Sequence, residues 1–309
     1  MVWQKKGLIY APSNDGSWRH QFAMLPTPLA RSNGDLRLFL GFCDPSMVGR
    51  IGFVDVDADD PSKVIRLSES PVLDIGEPGA FDDNGVVPIS LVQFENELRM
   101  YYIGFQLGVR VPYFMFCGLA ASSDGGDTFT RVRQNPILDR NSLELYARCG
   151  CHVMWDQGRW RMWYVGSVGK GWVQRDGKTL PLYTVRHVES LDGIQWLPSV
   201  GQPCLEFQND DEHGFGRPFV RKLDTGYEML LSVRTFSRGY NLSRALSHDG
   251  IEWERCEDNI FVNSGNVSQW DAVNTSYAHT QTIKGRHFLF YNGNGCGRSG
   301  VGYAEWVDV

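Results

Sequence analysis

Ionisable and polar side chains concentrate in five short segments of the sequence, and each segment leads into an apolar stretch. The segments span residues 18–23, 81–86, 144–152, 212–217 and 271–279. Together they hold four of the seven histidines, several carboxylates and three arginines. If the fold brings these segments together, the converging charges predict a small-molecule site in a concave surface. The alternative is that the residues only face a water-filled channel.

The candidate ligand-binding residues are the hydrogen-bonding members of these segments. They are His20, Gln21, Asn84, Glu144, Arg148, His152, His213, Arg217, Tyr277 and His279. Two of them, Arg148 and Arg217, suit an anion, because a guanidinium pairs bidentately with a carboxylate or a phosphate. The alternative for Arg217 is hydrogen bonding to neighbouring carbonyl groups.

The run Cys149-Gly150-Cys151-His152 raises the question of a metal site. On a strand, Cys149 and Cys151 share a face and His152 points away from it. A structural zinc site needs a second pair of ligands, and no second pair follows in the sequence. We therefore predict no metal site here, and interpret these cysteines as small buried residues.

A strand signature that recurs five times must position the five segments. It consists of a turn residue, alternating apolar and polar residues, aromatics and a small residue. The copies end at Gly41, Gly104, Gly166, Ser232 and Gly293, at spacings of 63, 62, 66 and 61 residues. A fixed period of this length indicates a repeat architecture that fills residues 1–309 as a single domain. A β-sandwich, the alternative all-β fold, does not explain the period.

A second signature lies between copies of the first. It reads Ser-x-Asp-Gly-x-x-Trp at residues 190–196 and 247–253, with a looser copy at 123–129. Asp-Gly favours a tight hairpin turn, and the aromatic residue after it is expected to pack between sheets. Each period therefore predicts a four-stranded antiparallel blade, and the chain an all-β, five-bladed β-propeller. Strands at 7–10 and 300–306 are expected to share one blade and close the ring.

Composition excludes several classes of function. The net charge of -6 and the pI near 5.7 argue against a nucleic-acid partner. No apolar run approaches the ~20 residues that span a bilayer, and the first residues do not resemble a signal peptide. Seven scattered cysteines indicate reduced thiols and a cytoplasmic location. The oligomeric state is not specified by the sequence.

The five repeats, the segment Phe81-Asp82-Asp83-Asn84-Gly85-Val86 and the Ser-x-Asp-Gly-x-x-Trp hairpins resemble the five-bladed propeller glycoside hydrolases of families 32, 43, 68 and 130. Segments with proline, such as 135–138, follow the hairpins. The resemblance covers the full chain and implies a carbohydrate-active enzyme with carboxylates from different blades. It also implies an aspartate on the first channel strand, where residues 19–22 hold no acid, and a glutamate on blade three, where Glu144 lies early.

The catalytic residues that this resemblance implies are carboxylates, since one must protonate the leaving oxygen and another must activate water or attack the sugar. By position we predict Asp83 as base or nucleophile and Glu212 as acid, with Asp82 beside them. For each acid, a turn or capping role is the alternative. His279 is a candidate for holding a cation in the channel or for bonding a substrate hydroxyl, and a structural role is its alternative.

The predicted function is that of a glycoside hydrolase or related glycan-processing enzyme. Its expected partner is a small carbohydrate or a nucleotide-linked sugar, given the arginines. The alternative is a non-catalytic sugar-binding propeller or a scaffold derived from such an enzyme, because the first channel strand lacks its acid. Inserts at 108–114 and 169–175 break the strand pattern and are predicted to be rim loops, where specificity often resides.

Overall fold

The computed structural model describes residues 2–258, 260–262 and 269–308 of the chain. Their regular secondary structure is almost entirely β-strand, and the single short helical turn among them is α1 (Asn294–Gly297). The chain begins with β1 (Val2–Tyr10). The all-β prediction is therefore confirmed, since alternation of apolar and polar residues dominates the sequence.

The remaining strands form consecutive antiparallel runs. The first is β2 (Gln21–Ala30), β3 (Leu36–Cys43), β4 (Gly49–Val56) and β5 (Val64–Leu67). The second is β6 (Val86–Phe94), β7 (Glu97–Leu107), β8 (Tyr113–Ser122) and β9 (Thr130–Arg131). The third is β10 (Ala147–Asp156), β11 (Arg159–Arg175), β12 (Lys178–Ser190) and β13 (Leu197–Pro203).

The fourth run is β14 (Glu212–Leu223), β15 (Gly226–Thr235), β16 (Gly239–Ser247) and β17 (Glu254–Cys256). After β18 (Phe261–Val262), the last run is β19 (Ser276–Ile283), β20 (Arg286–Asn292) and β21 (Val301–Val307), and it ends on β1. Short parallel pairings of β8 with β10 and of β12 with β14 join the three middle runs into one 12-stranded sheet.

The two ends of the chain pair with each other. Strand β1 lies antiparallel to β21, with Trp3 opposite Trp306. The predicted sharing of a sheet by the terminal strands is confirmed. The pairing covers the edge that β21 would otherwise expose.

The strand signature occupies the second strand of each run, and its small final residue has a packing reason. A Cβ on Gly104 would lie 2.5 Å from Asp82 Cβ, and a Cβ on Gly166 would lie 2.0 Å from Glu144 Oε1. In these two runs, the segment that precedes the first strand therefore packs directly on the second strand. Any larger residue at these glycines displaces that segment.

The Asp-Gly hairpins fix neighbouring runs to each other, as predicted. Asp192 Oδ1 accepts hydrogen bonds from the N–H groups of Ile194 and Gln195, both at 2.8 Å. Gly193, at φ +73°, presents its carbonyl to the Tyr101 hydroxyl of the preceding run. The aromatic residues after the turns pack edge-on across the same boundaries, in the pairs Tyr101–Trp196, Trp163–Trp253 and Phe39–Phe129.

Candidate functional site

The first strands of all the runs meet around one cavity of about 240 Å³. We call it the central cavity. It is lined by Met24, Leu25, Val87, Ile89, Ile103, Phe105, Tyr113, Met115, Cys149, Gly150, Val165, Tyr183, Gly216, Arg217, Arg234, Tyr240, Tyr277 and Cys296. Its volume lies just below the ~300–1,000 Å³ of typical ligand pockets, so it suits one small ligand rather than a long chain.

Every first strand is irregular where it borders the central cavity. The pairing of each with its second strand shifts register at one lining residue, and these residues are Leu25, Ile89, Gly150, Arg217 and Tyr277. A bulge of this kind redirects a side chain from the face of the sheet that the regular alternation would give it. Leu25, Arg217 and Tyr277 also have positive φ, at 58°, 43° and 58°. Such strain persists where surrounding structure imposes it and is typical of functional sites.

The lining combines apolar surface with four tyrosines and two arginines. Among the residues that the structure describes, it includes no aspartate or glutamate. The rings of Tyr240 and Tyr277 lie 5.2 Å apart, and the hydroxyl groups of Tyr183 and Tyr240 are in contact. Burial raises the pKa of Tyr183, Tyr240 and Tyr277 well above the ordinary value, so all three are neutral.

Arg217 is buried at the wall of the central cavity and is held by neutral groups. Its Nη1 donates to the Tyr277 carbonyl at 3.0 Å, and its Nη2 donates to the Pro26 carbonyl at 2.7 Å and to His279 Nδ1 at 3.0 Å. Burial lowers the pKa of Arg217 to about 9, so it still carries its charge at neutral pH. The hydrogen bonds to carbonyl groups match the alternative that the sequence left open.

Two histidines pack beside Arg217. The rings of His152 and His279 lie 6.2 Å apart. Burial, reinforced by the Arg217 charge, lowers the pKa of His152 to about 3 and that of His279 well below the ordinary value. Both are neutral at pH 7. The guanidinium already places positive charge against His279, and its repulsion disfavours the cation that the resemblance suggested there.

The two neutral histidines predict a specific loss of stability in acid. Below pH 6.5 the unfolded chain binds protons that the folded chain does not, so the free energy of unfolding falls as the pH falls. Each histidine contributes at most about 1.4 kcal/mol per pH unit. Urea unfolding at pH 6 and at pH 5 measures this fall in the free energy of unfolding. We expect the fall to be smaller in the double variant His152→Gln/His279→Gln than in the wild type, by up to about 3 kcal/mol.

The exposed His248 supplies the matched control for this measurement. The variant His248→Gln is expected to keep the wild-type pH dependence, since this side chain is exposed and lies outside the buried histidine pair. Equal slopes for the wild type and the double variant would contradict the assignment of neutral, buried histidines.

Acidic residues stand at or before the starts of four first strands, and we call them the strand-start carboxylates. They are Asp82, Glu144, Glu212 and Asp271, all of them buried. Three accept a hydrogen bond from a tyrosine that lies 20 residues later on the second strand, in the pairs Asp82–Tyr102, Glu144–Tyr164 and Asp271–Tyr291. The side chains therefore point into the sheets of their own runs.

Each strand-start carboxylate also pairs with a cation on a third or fourth strand. Asp82 lies 2.8 Å from Arg131 Nε, Glu212 Oε1 lies 2.7 Å from Arg255 Nη1, and Asp271 lies 2.8 Å from Lys5 Nζ. Glu144 has two partners, Arg148 Nε at 3.0 Å and Arg186 Nε at 3.3 Å. The contacts link the start of each first strand to the outer part of its run.

The structure places the predicted catalytic residues outside the lining of the central cavity. Asp82 and Glu212 lie in the ion pairs just described. Asp83 Oδ2 accepts the Gly79 N–H at 2.8 Å, which is the geometry of a turn cap. Arg148 faces Glu144 rather than the cavity, so it forms no anion clamp with Arg217.

Four other predicted binding residues also lie away from the lining. Their contacts are local: His20 Nδ1 accepts from Gly16 N–H, Gln21 Nε2 donates to the Asp44 carbonyl, and His213 Nδ1 donates to the Pro181 carbonyl. Asn84 donates its backbone N–H to the Phe105 carbonyl. Of the predicted set, the cavity wall thus holds Arg217 and Tyr277, with His152 and His279 packed against Arg217 or its neighbours.

The sequence analysis missed Arg234, Tyr183 and Tyr240, which lie on second and third strands. Tyr113 belongs to the aromatic insert 108–114, and Trp172 of the basic insert packs on it at 5.5 Å between ring centres. The aromatic insert thus borders the cavity through Tyr113. The rim-loop prediction is wrong for the basic insert, because residues 169–175 continue strand β11 and pair with β12. The inserts were the one sequence signal that pointed to this part of the wall.

The cysteines form no disulfide in the described structure. Cys117 and Cys151 face each other with their sulfur atoms 3.5 Å apart, and Cys149 lines the central cavity. In the described ranges, no group of three or more histidine, cysteine or acidic side chains has a metal-binding arrangement. Nor does any described helix have the length and apolar character that a membrane crossing requires.

Comparison with known proteins identifies the fold. No protein-family model matches the chain. Uncharacterized protein Rv1502 of Mycobacterium tuberculosis (strain ATCC 25618 / H37Rv) is 29% identical over 306 residues, which cover 98% of this chain and 99% of that protein. A solved glycoside hydrolase matches 99% of this chain and 92% of its own, with a TM-score of 0.78 and 17% identity.

A further solved neighbour belongs to glycoside hydrolase family 130, described as mannoside phosphorylases that include hydrolases of β-1,2-mannosidic linkages in Candida mannan. It has a TM-score of 0.70 and 15% identity over 98% of this chain and 93% of that one. The predicted resemblance to the propeller glycoside hydrolases is confirmed at the level of the fold. The chain shares the all-β fold of these solved structures.

Proposed function

We propose that this protein is a five-bladed propeller that binds a small carbohydrate in the central cavity without cleaving it. The observation that carries the proposal is the cavity lining, which offers tyrosines and arginines but no carboxylate among its described residues. Glycosidic cleavage needs two carboxyl groups on either side of the bond, ~5–10 Å apart. The proposal therefore favours the sugar-binding alternative over hydrolysis.

Five four-stranded blades are the simplest account of the strand pairings. Each antiparallel run has a signature strand in second place and a first strand with a bulge at the cavity. We take residues 1–309 as one such domain. The seven reduced thiols support a cytoplasmic location for it.

The tyrosines supply the kind of surface that a sugar ring requires. Aromatic rings bury the C–H face of a saccharide, while hydroxyl groups of the tyrosines exchange hydrogen bonds with its hydroxyls. Tyr240 and Tyr277 stand at an interplanar angle of 56°, which forms a corner rather than a flat wall. A corner of this size favours a monosaccharide unit.

The strand-start carboxylates take a structural role in this proposal. Ion pairs hold all four of them, and hydrogen bonds from tyrosines hold three, so their charges are balanced by groups of their own runs. A general acid or base must instead be within hydrogen-bond reach of the reacting group. Residues 19–22 before and in the first strand hold no acid, which also favours sugar binding without cleavage.

The test is a thermal-shift and turnover screen of the wild type with hexoses, uronic acids, sugar phosphates and aryl glycosides. A bound sugar at 100 times its Kd adds about 2.7 kcal/mol, enough to raise Tm by several degrees. We expect such a shift for the wild type. We also expect its turnover of the aryl glycosides to be no higher than that of the double variant Asp83→Asn/Glu212→Gln. Turnover by the wild type that this variant loses while its thermal melt shows it still folded would establish a hydrolase instead.

A further inference from the structure

The central cavity carries positive charge that no acid of the protein balances. Arg217 and Arg234 both line it, and among the described residues neither lies within 4.0 Å of a carboxylate oxygen, the ion-pair limit. Most buried arginines of this chain do have such a partner, for example Arg37 with Asp55 and Arg161 with Asp156. A charge taken out of water without a partner is unfavourable, and an anionic ligand would relieve that cost.

Arg234 has the geometry of an anion receptor. It lies on β15 directly opposite Tyr240 on β16, and its guanidinium stands over the Tyr240 ring at 5.2 Å. Within the described structure, its one side-chain hydrogen bond is from Nη1 to the Tyr183 hydroxyl at 3.3 Å. A guanidinium has five N–H donors, so most of this planar group remains for a ligand. Two parallel N–H groups match the oxygens of a carboxylate or a phosphate.

The neighbouring tyrosines complete a set of donors. The Tyr183 and Tyr240 hydroxyls touch each other beside Arg234. Because both are neutral, one O–H group is donated between the two hydroxyls and the other is left to donate to an anionic oxygen without electrostatic repulsion. Arg217 is committed to carbonyls and to His279, so it contributes its charge rather than a hydrogen-bonding fork.

We propose that the ligand of the central cavity is an anionic sugar, whose carboxylate or phosphate is bound by Arg234 and the hydroxyls of Tyr183 and Tyr240. This inference rests on the proposed sugar-binding function and names the ligand class for the same cavity. Arg234 takes the part that the sequence analysis assigned to Arg148. The carboxylate of a uronic acid and the phosphate of a sugar phosphate share the chemistry that the arginine recognises.

The test is a calorimetric measurement of Kd for hexoses offered in three forms, the neutral sugar, the uronic acid and the 1-phosphate. We expect at least one anionic form to bind ten-fold or more tightly than its neutral parent, and the uronate and phosphate arms separate the two sources of charge. Arg234→Gln is expected to remove that advantage, so that the neutral and anionic forms bind to this variant with Kd values within about two-fold of each other. Arg234→Lys should retain part of the anionic advantage, because lysine keeps the positive charge but lacks the two parallel N–H donors of the guanidinium.

The exposed Arg238, on the hairpin that follows β15, supplies the matched control. Arg238→Gln removes an equal charge nearby and is expected to leave both affinities unchanged. Two results would overturn the inference and leave sugar binding intact. One is equal affinity of the wild type for the neutral and anionic forms. The other is an anionic preference that Arg234→Gln and Arg234→Lys both retain. Binding of no sugar in any form would overturn the proposed function as well.

Discussion

Replacing Glu144 with glutamine is expected to lower the free energy of unfolding by about 3–5 kcal/mol. The side chain is fully buried, and its carboxylate lies between Arg148 and Arg186. It also accepts hydrogen bonds from the Tyr164 hydroxyl and Asn141 Nδ2, at 3.0 and 2.8 Å. Glutamine keeps the shape but leaves two buried or nearly buried guanidinium groups without their counter-charge. Urea unfolding at pH 7 measures the change.

The sign of this change separates a structural carboxylate from a catalytic one. Active-site groups are often held at a cost to stability, so their replacement is commonly neutral or stabilising. Glu189→Gln is the matched control, because Glu189 pairs with Arg159 at 2.6 Å but is about a third exposed. It should cost no more than about 1 kcal/mol. If Glu144→Gln unfolds at wild-type urea concentrations, the structural role of the strand-start carboxylates is wrong.

Replacing Tyr240 with alanine is expected to weaken sugar binding by about 30-fold or more. The ring of Tyr240 is the centre of the aromatic wall, since it contacts Tyr277, Arg234 and the Tyr183 hydroxyl. Truncating a central aromatic contact costs about 2 kcal/mol or more in binding free energy. Titration calorimetry with the sugar selected by the thermal-shift screen measures the loss.

Tyr240→Phe is the matched variant for this experiment. It keeps the ring and removes only the hydroxyl group. We expect it to retain most of the affinity for a neutral sugar, and to lose several-fold for an anionic one. A loss as large as that of Tyr240→Ala for the neutral sugar would show that the ring face does not carry the binding.

The sequence predicted the fold well because the fold repeats. Each period carries its own turn residues, aromatic strand and small residue, so the same local rules act five times. The glycines at the ends of the signature have a physical reason, because the segments around Asp82 and Glu144 pack against Gly104 and Gly166 with no room for a side chain. The terminal strands were predictable too, because an unpaired edge is costly and each end supplies half of a sheet.

The site was less predictable, because the acidic residues and the cavity residues lie only a few positions apart. Asp82 and Asp271 stand before their strands and turn into the sheets of their own runs, where the hydroxyls of Tyr102 and Tyr291 donate hydrogen bonds to them. The recurring distance of 20 residues between acid and tyrosine was a readable signal for that role. The alternation of inward and outward side chains along a strand does not predict which residues face the cavity, because bulges at Arg217 and Tyr277 interrupt that alternation. Arg234 and Tyr240 reach the cavity through pairing across a hairpin, which the spacing alone does not reveal.

The most direct test of the central claim is titration of the selected sugar into the wild-type protein, followed by mass spectrometry of the same sample. The account predicts saturable binding with one sugar per chain and recovery of the sugar intact. Cleaved sugar in the recovered sample, or a titration in which no sugar of the panel binds, would contradict it.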